Sequence, residues 1–245
     1  MIRGVTFDWW HTIAETPWPD YDVRMRRLRV DAARDALASG GVLVDESDLY
    51  AAYDRLTEHL IERWKTHGDL AAENQVDAFL RFADIRADSE GVGARLREAF
   101  GSAILARPPI LFPHVSATLA RLKREGYKVG LVSNTGRTWG RFLRPLQDEL
   151  GIGRHFDVRV FSDEVGARKP LRVIFDAALR DLRLPPERVV HVGDDAVADI
   201  EGAKGAGMRA IWFDAGFWPQ GRPVDADAEI HDHADLFEVL ERWKP

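Results

Sequence analysis

The chain has 245 residues, no cysteine and a formal net charge of -6. Without cysteine there are no disulfides, no thiolate catalysis and no thiolate-ligated zinc, so any chemistry rests on oxygen and nitrogen groups. With 45% hydrophobic and 30% charged residues, and no apolar run long enough to cross a bilayer, the composition is that of a globular protein. The acidic balance gives it no general attraction for nucleic acid.

Met1 to Gly4 runs straight into a β-prone stretch, leaving no room for a signal peptide, so a cytoplasmic location with no membrane partner is expected. That stretch, Gly4 to Phe7, ends in Asp8, and Thr12 follows shortly after. From about Asp20 to Leu105 the pattern becomes amphipathic helices, Tyr21 to Ala38, Glu46 to Lys65, Glu73 to Ala83 and Val92 to Ile104, with no convincing strand between them. In the first of these, Arg24, Arg26, Arg27 and Arg29 fall around Met25, Leu28 and Val30 and read as a solvated face rather than an anion site. Pro17-Trp18-Pro19 and Pro108-Pro109 flank the segment as linkers, dividing the chain into a core of residues 1–16 and 109–245 and a helical insert of residues 17–108.

Beyond the insert, strand-like runs at Lys128 to Ser133, Val158 to Ser162, Val189 to Gly193 and Arg209 to Phe213 alternate with helix-like stretches. The latter are Val115 to Glu125, Gly140 to Leu150, Leu171 to Leu182 and Ala198 to Ala206. The strands are nearly continuous in apolar residues, as strands covered on both faces are. The expected fold is therefore α/β, a Rossmann-like doubly wound parallel sheet carrying an inserted all-helical domain.

In such sheets ligands bind beyond the carboxyl ends of the strands. Four polar positions lie there: Asp8 with Thr12; Ser133-Asn134; Lys169; and Gly193-Asp194-Asp195 with Asp199. Carboxylates converging at one sheet edge need a compensating cation. Oxygen ligands without His or Cys suit Mg²⁺, with Asp8 and Asp194 as its ligands. Lys169 precedes Pro170, a residue favoured at the first position of a helix; a cation facing that end of the dipole costs up to roughly 1 kcal/mol, which an anionic site would offset.

Taken together, these residues resemble the four motifs of the haloacid dehalogenase superfamily. Val5-Thr6-Phe7-Asp8-Trp9-Trp10-His11-Thr12 is similar to the first, Leu131-Val132-Ser133-Asn134 to the second, and Lys169-Pro170 with Ile174-Phe175 to the third. His191-Val192-Gly193-Asp194-Asp195 through Asp199, with Gly202-Ala203-Lys204 and Ala206-Gly207-Met208, is similar to the fourth. The resemblance implies a Mg²⁺-dependent hydrolase acting on a small phosphorylated metabolite, with Asp8 as nucleophile forming an aspartyl phosphate. It further implies that Thr12, Ser133, Asn134 and Lys169 hold the phosphoryl group. Asp8, Asp194, the backbone carbonyl of Trp10, and either Asp199 or Asp195 would surround the metal. The insert becomes a mobile cap.

One position departs from the pattern. Phosphatases of the superfamily carry a second aspartate, the general acid and base, where this chain has Trp10, and indole cannot transfer that proton. The expected rate is correspondingly reduced, and a catalytically impaired relative acting as a binding protein, or a metal-free 2-haloacid dehalogenase, is the alternative. His11 reads as a structural residue ahead of a substitute proton carrier. Trp9, Trp10, Trp18, Trp139 and Trp218 crowd the expected mouth, each one read as packing ahead of a substrate pocket, while Asp214, Asp225 and Asp227 read as solvated loop residues.

Overall fold

The computed structural model describes residues 1–86, 90–216, 223 and 225–244. In chain order it runs β1 (Gly4–Phe7), β2 (Ala14–Glu15), α1 (Tyr21–Ala38), α2 (Glu46–Lys65), α3 (Ala72–Phe82), α4 (Glu90–Ala106), β3 (Ile110–Leu111), α5 (Val115–Arg124) and β4 (Lys128–Ser133). It continues with α6 (Gly140–Glu149), β5 (Val158–Phe161), α7 (Ser162–Val165), α8 (Arg172–Leu182), β6 (Val189–Gly193) and a π-helical turn (Ala196–Glu201). Last come α9 (Gly202–Gly205), β7 (Arg209–Phe213), β8 (Ala228–Ile230) and α10 (Leu236–Arg242).

Six strands form one parallel sheet in the order β5-β4-β1-β6-β7-β8. Its two faces are both covered, which is why the strands read as unbroken apolar runs. On β4, Val129 and Leu131 join one buried cluster and Val132 the other. The strand order reverses around β1, the position where open sheets form a crevice at their carboxyl edge. The fold class expected from the sequence is therefore the one observed.

Helices α1 to α4 form the inserted unit, entered and left through a short antiparallel ribbon in which β2 pairs with β3, Ala14 opposite Leu111 and Glu15 opposite Ile110. On α1 the buried residues Tyr21, Met25, Arg29, Val30, Ala33 and Leu37 follow helical spacing and face the other helices. The unit closes against the sheet domain where α4 meets α6. A Cβ on Gly101 would lie 1.9 Å from the Phe142 ring, so only glycine allows this approach. No helix among the described residues is long and apolar enough to cross a membrane.

Several expectations are corrected. Arg24 and Arg26 are surface residues paired with Asp20 and Asp54, but Arg29 is buried, because it falls one helical turn after Met25 on the inward stripe. Ser162 opens a helical turn instead of closing β5, and the helix placed at Ala198 starts as the π turn at Ala196. Pro170 precedes α8, whose N-cap is Leu171, so Lys169 does not stand at that helix's first turn and the dipole argument for it falls. Asp227 is structural: it accepts from the Ala210 N–H at 2.8 Å and pairs with Lys204. The β2–β3 ribbon, β8 and α10 carry too few residues for periodicity to announce them.

Candidate active site

Parallel register assembles the site. Phe7 is opposite Leu131 on one side and Val192 on the other, so the residues just past these partners, Asp8, Ser133 and Asp194, emerge together at the carboxyl edge. The Asp8 N–H donates to the Val192 carbonyl at 2.9 Å, continuing the ladder by one bond. Carboxylate oxygens of Asp8, Asp194 and Asp199 all lie within 4.8 Å of one another, and all three residues are buried.

Lys169 enters from the segment after α7. Its ammonium donates to Asp8, to Asp199 at 2.6 Å and to the Val132 carbonyl at 2.8 Å. Asn134 holds this lysine's backbone from both sides, accepting from the Lys169 N–H at 2.8 Å and donating to its carbonyl at 3.1 Å. The Asn134 side-chain amide thus positions Lys169. Thr12 donates to Asp194 at 3.1 Å. Ser133 Oγ is fully buried at the strand end with no hydrogen-bond partner among the described residues, and an orphaned hydroxyl of this kind calls for a ligand group.

Asp195 and Asp199 separate cleanly. Asp195 caps the π turn, accepting from the N–H groups of Val197 and Ala198 at 2.9 and 2.8 Å, whereas Asp199 reaches back into the cluster. It can do so because β6 ends in glycine: a Cβ on Gly193 would lie 2.3 Å from the Asp199 carboxyl carbon. The oxygens of Asp199 accept from Lys169, from the Asp195 N–H at 3.0 Å and from His191 Nε2 at 3.0 Å. An ionised Asp199 makes Nε2 the donor, leaving His191 Nδ1 to accept from Thr6 at 2.9 Å. The sequence signal for His191 is that it is a polar residue inside the otherwise apolar run of β6.

Burial pushes the Asp8 carboxyl up to about 7, with Lys169 pulling it down and Asp199 adding to the rise. Burial acts the same way on Asp199, but there Lys169 and His191 win and hold it below the ordinary carboxylate range. Burial opposes the charge on Lys169, yet Asp199 and Asp8 outweigh it and raise its value. Desolvation lowers His191 and the half-buried His11, favouring their neutral forms.

Between the helical unit and the sheet edge lies a cleft of about 560 Å³ lined by Trp10, His11, Trp18, Asn134 and Arg168 among others, which reaches the chain neighbours of Asp8, Ser133 and Lys169. Of the tryptophans expected at the mouth, Trp10 and Trp18 line it, Trp9 and Trp139 are core residues, and Trp218 lies outside the described residues. The loop between α2 and α3 docks beside the cleft through Asp69. This buried carboxylate accepts from Ser162 Oγ at 2.5 Å, from Arg168 at 2.9 Å and from the Trp64 indole at 3.1 Å. Arg168 also donates to the Thr135 carbonyl and stacks on Trp64. Nothing in the local sequence around Asp69 announces this docking, because its partners are distant along the chain.

A family model described as haloacid dehalogenase-like hydrolase matches residues 2–207. The glyceraldehyde 3-phosphate phosphatase of Pyrococcus furiosus is 36% identical over 140 residues, 53% of this chain and 54% of that protein. The chain thus spans about half the length of this curated relative. The protein of the same name from Methanopyrus kandleri is 29% identical over 98% of this chain and 97% of its own. Among solved structures, a 2-haloacid dehalogenase from Pseudomonas syringae pv. Tomato superposes with a TM-score of 0.72 at 29% identity, with both chains covered completely.

Proposed function

The chain belongs to the haloacid dehalogenase-like hydrolase family, and we propose that it hydrolyses a small phosphorylated metabolite in the cytoplasm through an aspartyl phosphate on Asp8. The observation that carries this reading is the single ammonium of Lys169 shared between Asp8 and Asp199, with Asp194 beside them and the orphaned Ser133 hydroxyl at the same edge. Asp8 attacks phosphorus, the bond to the leaving oxygen breaks, and water then cleaves the aspartyl phosphate to regenerate the carboxylate. Ser133 Oγ donates to a phosphoryl oxygen and Lys169 neutralises developing charge, while Asn134 fixes the lysine's backbone and His191 fixes Asp199. Residues 17–108 act as the cap over the cleft.

The donor set fits Mg²⁺: three carboxylates within 4.8 Å, with neither thiolate nor imidazole among them. Asp8, Asp194 and the Trp10 carbonyl would hold the ion. Asp199, whose oxygens already accept from three partners, would act through water, and Asp195 is committed to its cap. When bound, Mg²⁺ supplies positive charge to the phosphoryl oxygens. Trp10 leaves the leaving group without its usual acid, which lowers the rate by about 10² to 10⁴ on poor leaving groups and much less on aryl phosphates, whose oxygen needs no proton.

The test is hydrolysis of aryl and alkyl phosphate esters with Mg²⁺ and with chelator, against an Asp8→Asn control. Turnover equal to that control refutes the reading. A second reading, 2-haloacid dehalogenation, is favoured by Trp10 and by the full-length likeness to the Pseudomonas syringae enzyme. It requires halide release from 2-haloacids in the presence of chelator, and its absence removes that reading.

A further inference from the structure

Two arginines of the cleft have no carboxylate partner among the described residues. Arg29, on α1, is only 7% exposed. Its guanidinium donates to neutral acceptors alone: Thr138 Oγ1 at 2.7 Å, the Tyr53 hydroxyl at 3.3 Å and the Phe100 carbonyl at 3.3 Å. Arg137, beside Thr138, stacks on the ring of that same Tyr53 at 5.1 Å and donates to Thr57 Oγ1 at 3.2 Å. Its Nε is buried with no hydrogen-bond partner among the described residues. Both arginines line the cleft, and neither forms an ion pair with a carboxylate of the described residues.

This arrangement is costly as it stands. Two like charges bracket one phenol in a partly desolvated space, and hydrogen bonds to neutral acceptors offset only part of the cost of desolvating a cation. Arg168, in the same lining, differs because Asp69 neutralises it. The one carboxylate in the lining, Asp22, is exposed and acts on His11. The lining also includes Trp18, Met25 and Ile104, so the cleft combines apolar surface with unpaired cationic groups, a combination that orients a small ligand by a charged terminus.

Resting on the hydrolase reading above, we propose that the substrate carries a second anionic group, a carboxylate or a second phosphate, and that Arg29 and Arg137 bind it while the reacting phosphoryl group meets Asp8. The arginines thereby select doubly anionic esters over esters with a neutral tail.

Three esters of one carbon length test this with the full chain and Mg²⁺: the phosphate ester of hydroxypropionate, propanediol bisphosphate and n-propyl phosphate. The wild type is expected to prefer one or both anionic-tailed esters by about ten- to hundredfold in kcat/KM, the range of charge-assisted hydrogen bonds. Which of the two it prefers separates carboxylate from phosphate. Arg137→Leu should reduce that preference at least about tenfold, with Arg137→Lys restoring part of it; Arg29→Gln should do the same if it folds. A loss shared equally by all three esters means that the arginines only pin the helical unit to the core, and overturns the proposal, as does an equal kcat/KM for all three in the wild type. If none of the three is hydrolysed, thermal shifts by the same three compounds decide the binding claim, and aryl-phosphate turnover against the Asp8→Asn control decides the hydrolase reading separately. Larger shifts with the anionic-tailed esters, diminished in Arg137→Leu, sustain it; equal shifts end it.

Discussion

Replacing Lys169 by methionine isolates the electrostatic core of the site. Lys169 is 3% exposed and its ammonium bonds to Asp8, Asp199 and the Val132 carbonyl; methionine keeps much of the volume and removes the charge. Breaking a buried ion pair by removing one partner costs about 3–5 kcal/mol, and in a chain of this size each kcal/mol shifts Tm by about 2–4 °C. In chelator at pH 8 the variant should therefore melt about 6–20 °C below wild type. The deficit has a direction in pH. Burial already places Asp8 at about 7 against an ordinary 3.8, and loss of the lysine raises it further. A raised carboxyl contributes stability that is complete below its unfolded value and is lost as pH rises through its folded value. The gap to wild type should thus be smaller at pH 5 than at pH 8, and added Mg²⁺ should narrow it at pH 8 by supplying the missing positive charge. Thermal melts at both pH values, with and without the ion, measure all three effects. A gap below about 1 kcal/mol at pH 8, or one independent of pH, would refute the reasoning.

Trp10→Asp restores a proton carrier two residues after the nucleophile and should raise alkyl-phosphate turnover by about 10²- to 10⁴-fold, read as kcat; unchanged turnover places the defect elsewhere. Gly193→Ala puts a methyl group 2.3 Å from the Asp199 carboxyl carbon and should destabilise by about 1–3 kcal/mol while abolishing activity, whereas Gly205→Ala, with nothing within 4 Å of the new methyl, should do neither. Burial raises Asp163 to about 6 although it accepts from the Gly140 N–H. Wild-type stability therefore loses this contribution as pH climbs from about 4 to about 6, and Asp163→Asn should gain roughly 2–3 kcal/mol on wild type over that interval, measured by urea melts at the two ends.

The reach of the sequence can be judged residue by residue. Asp8, Ser133 and Asp194 were legible because each ends an apolar run, and in a parallel sheet such ends share an edge. Lys169 stands out as one of few lysines in an arginine-rich chain, though the helix-terminus argument for it fails because the N-cap of α8 is Leu171. Asn134 lies at the expected edge, and what its sequence position does not show is that its side-chain amide holds the Lys169 backbone, because that contact depends on the path of the segment after α7. Arg29 was misread because an arginine stripe on an amphipathic helix is solvated in most settings, and burial depends on what stands opposite the helix.

What the sequence determined by itself was periodic and local: the alternation of elements, the helical insert and the strand-end acids all follow from spacing along one stretch of chain. The tertiary structure decided everything that depends on two distant stretches meeting. It put Asp199 in the cluster and Asp195 at a cap, docked Asp69 on Arg168, and turned Arg29 and Arg137 toward one cleft. The physical reason is that the charge state and partners of a buried group are set by its desolvation and by neighbours in space, and neither is a property of sequence distance.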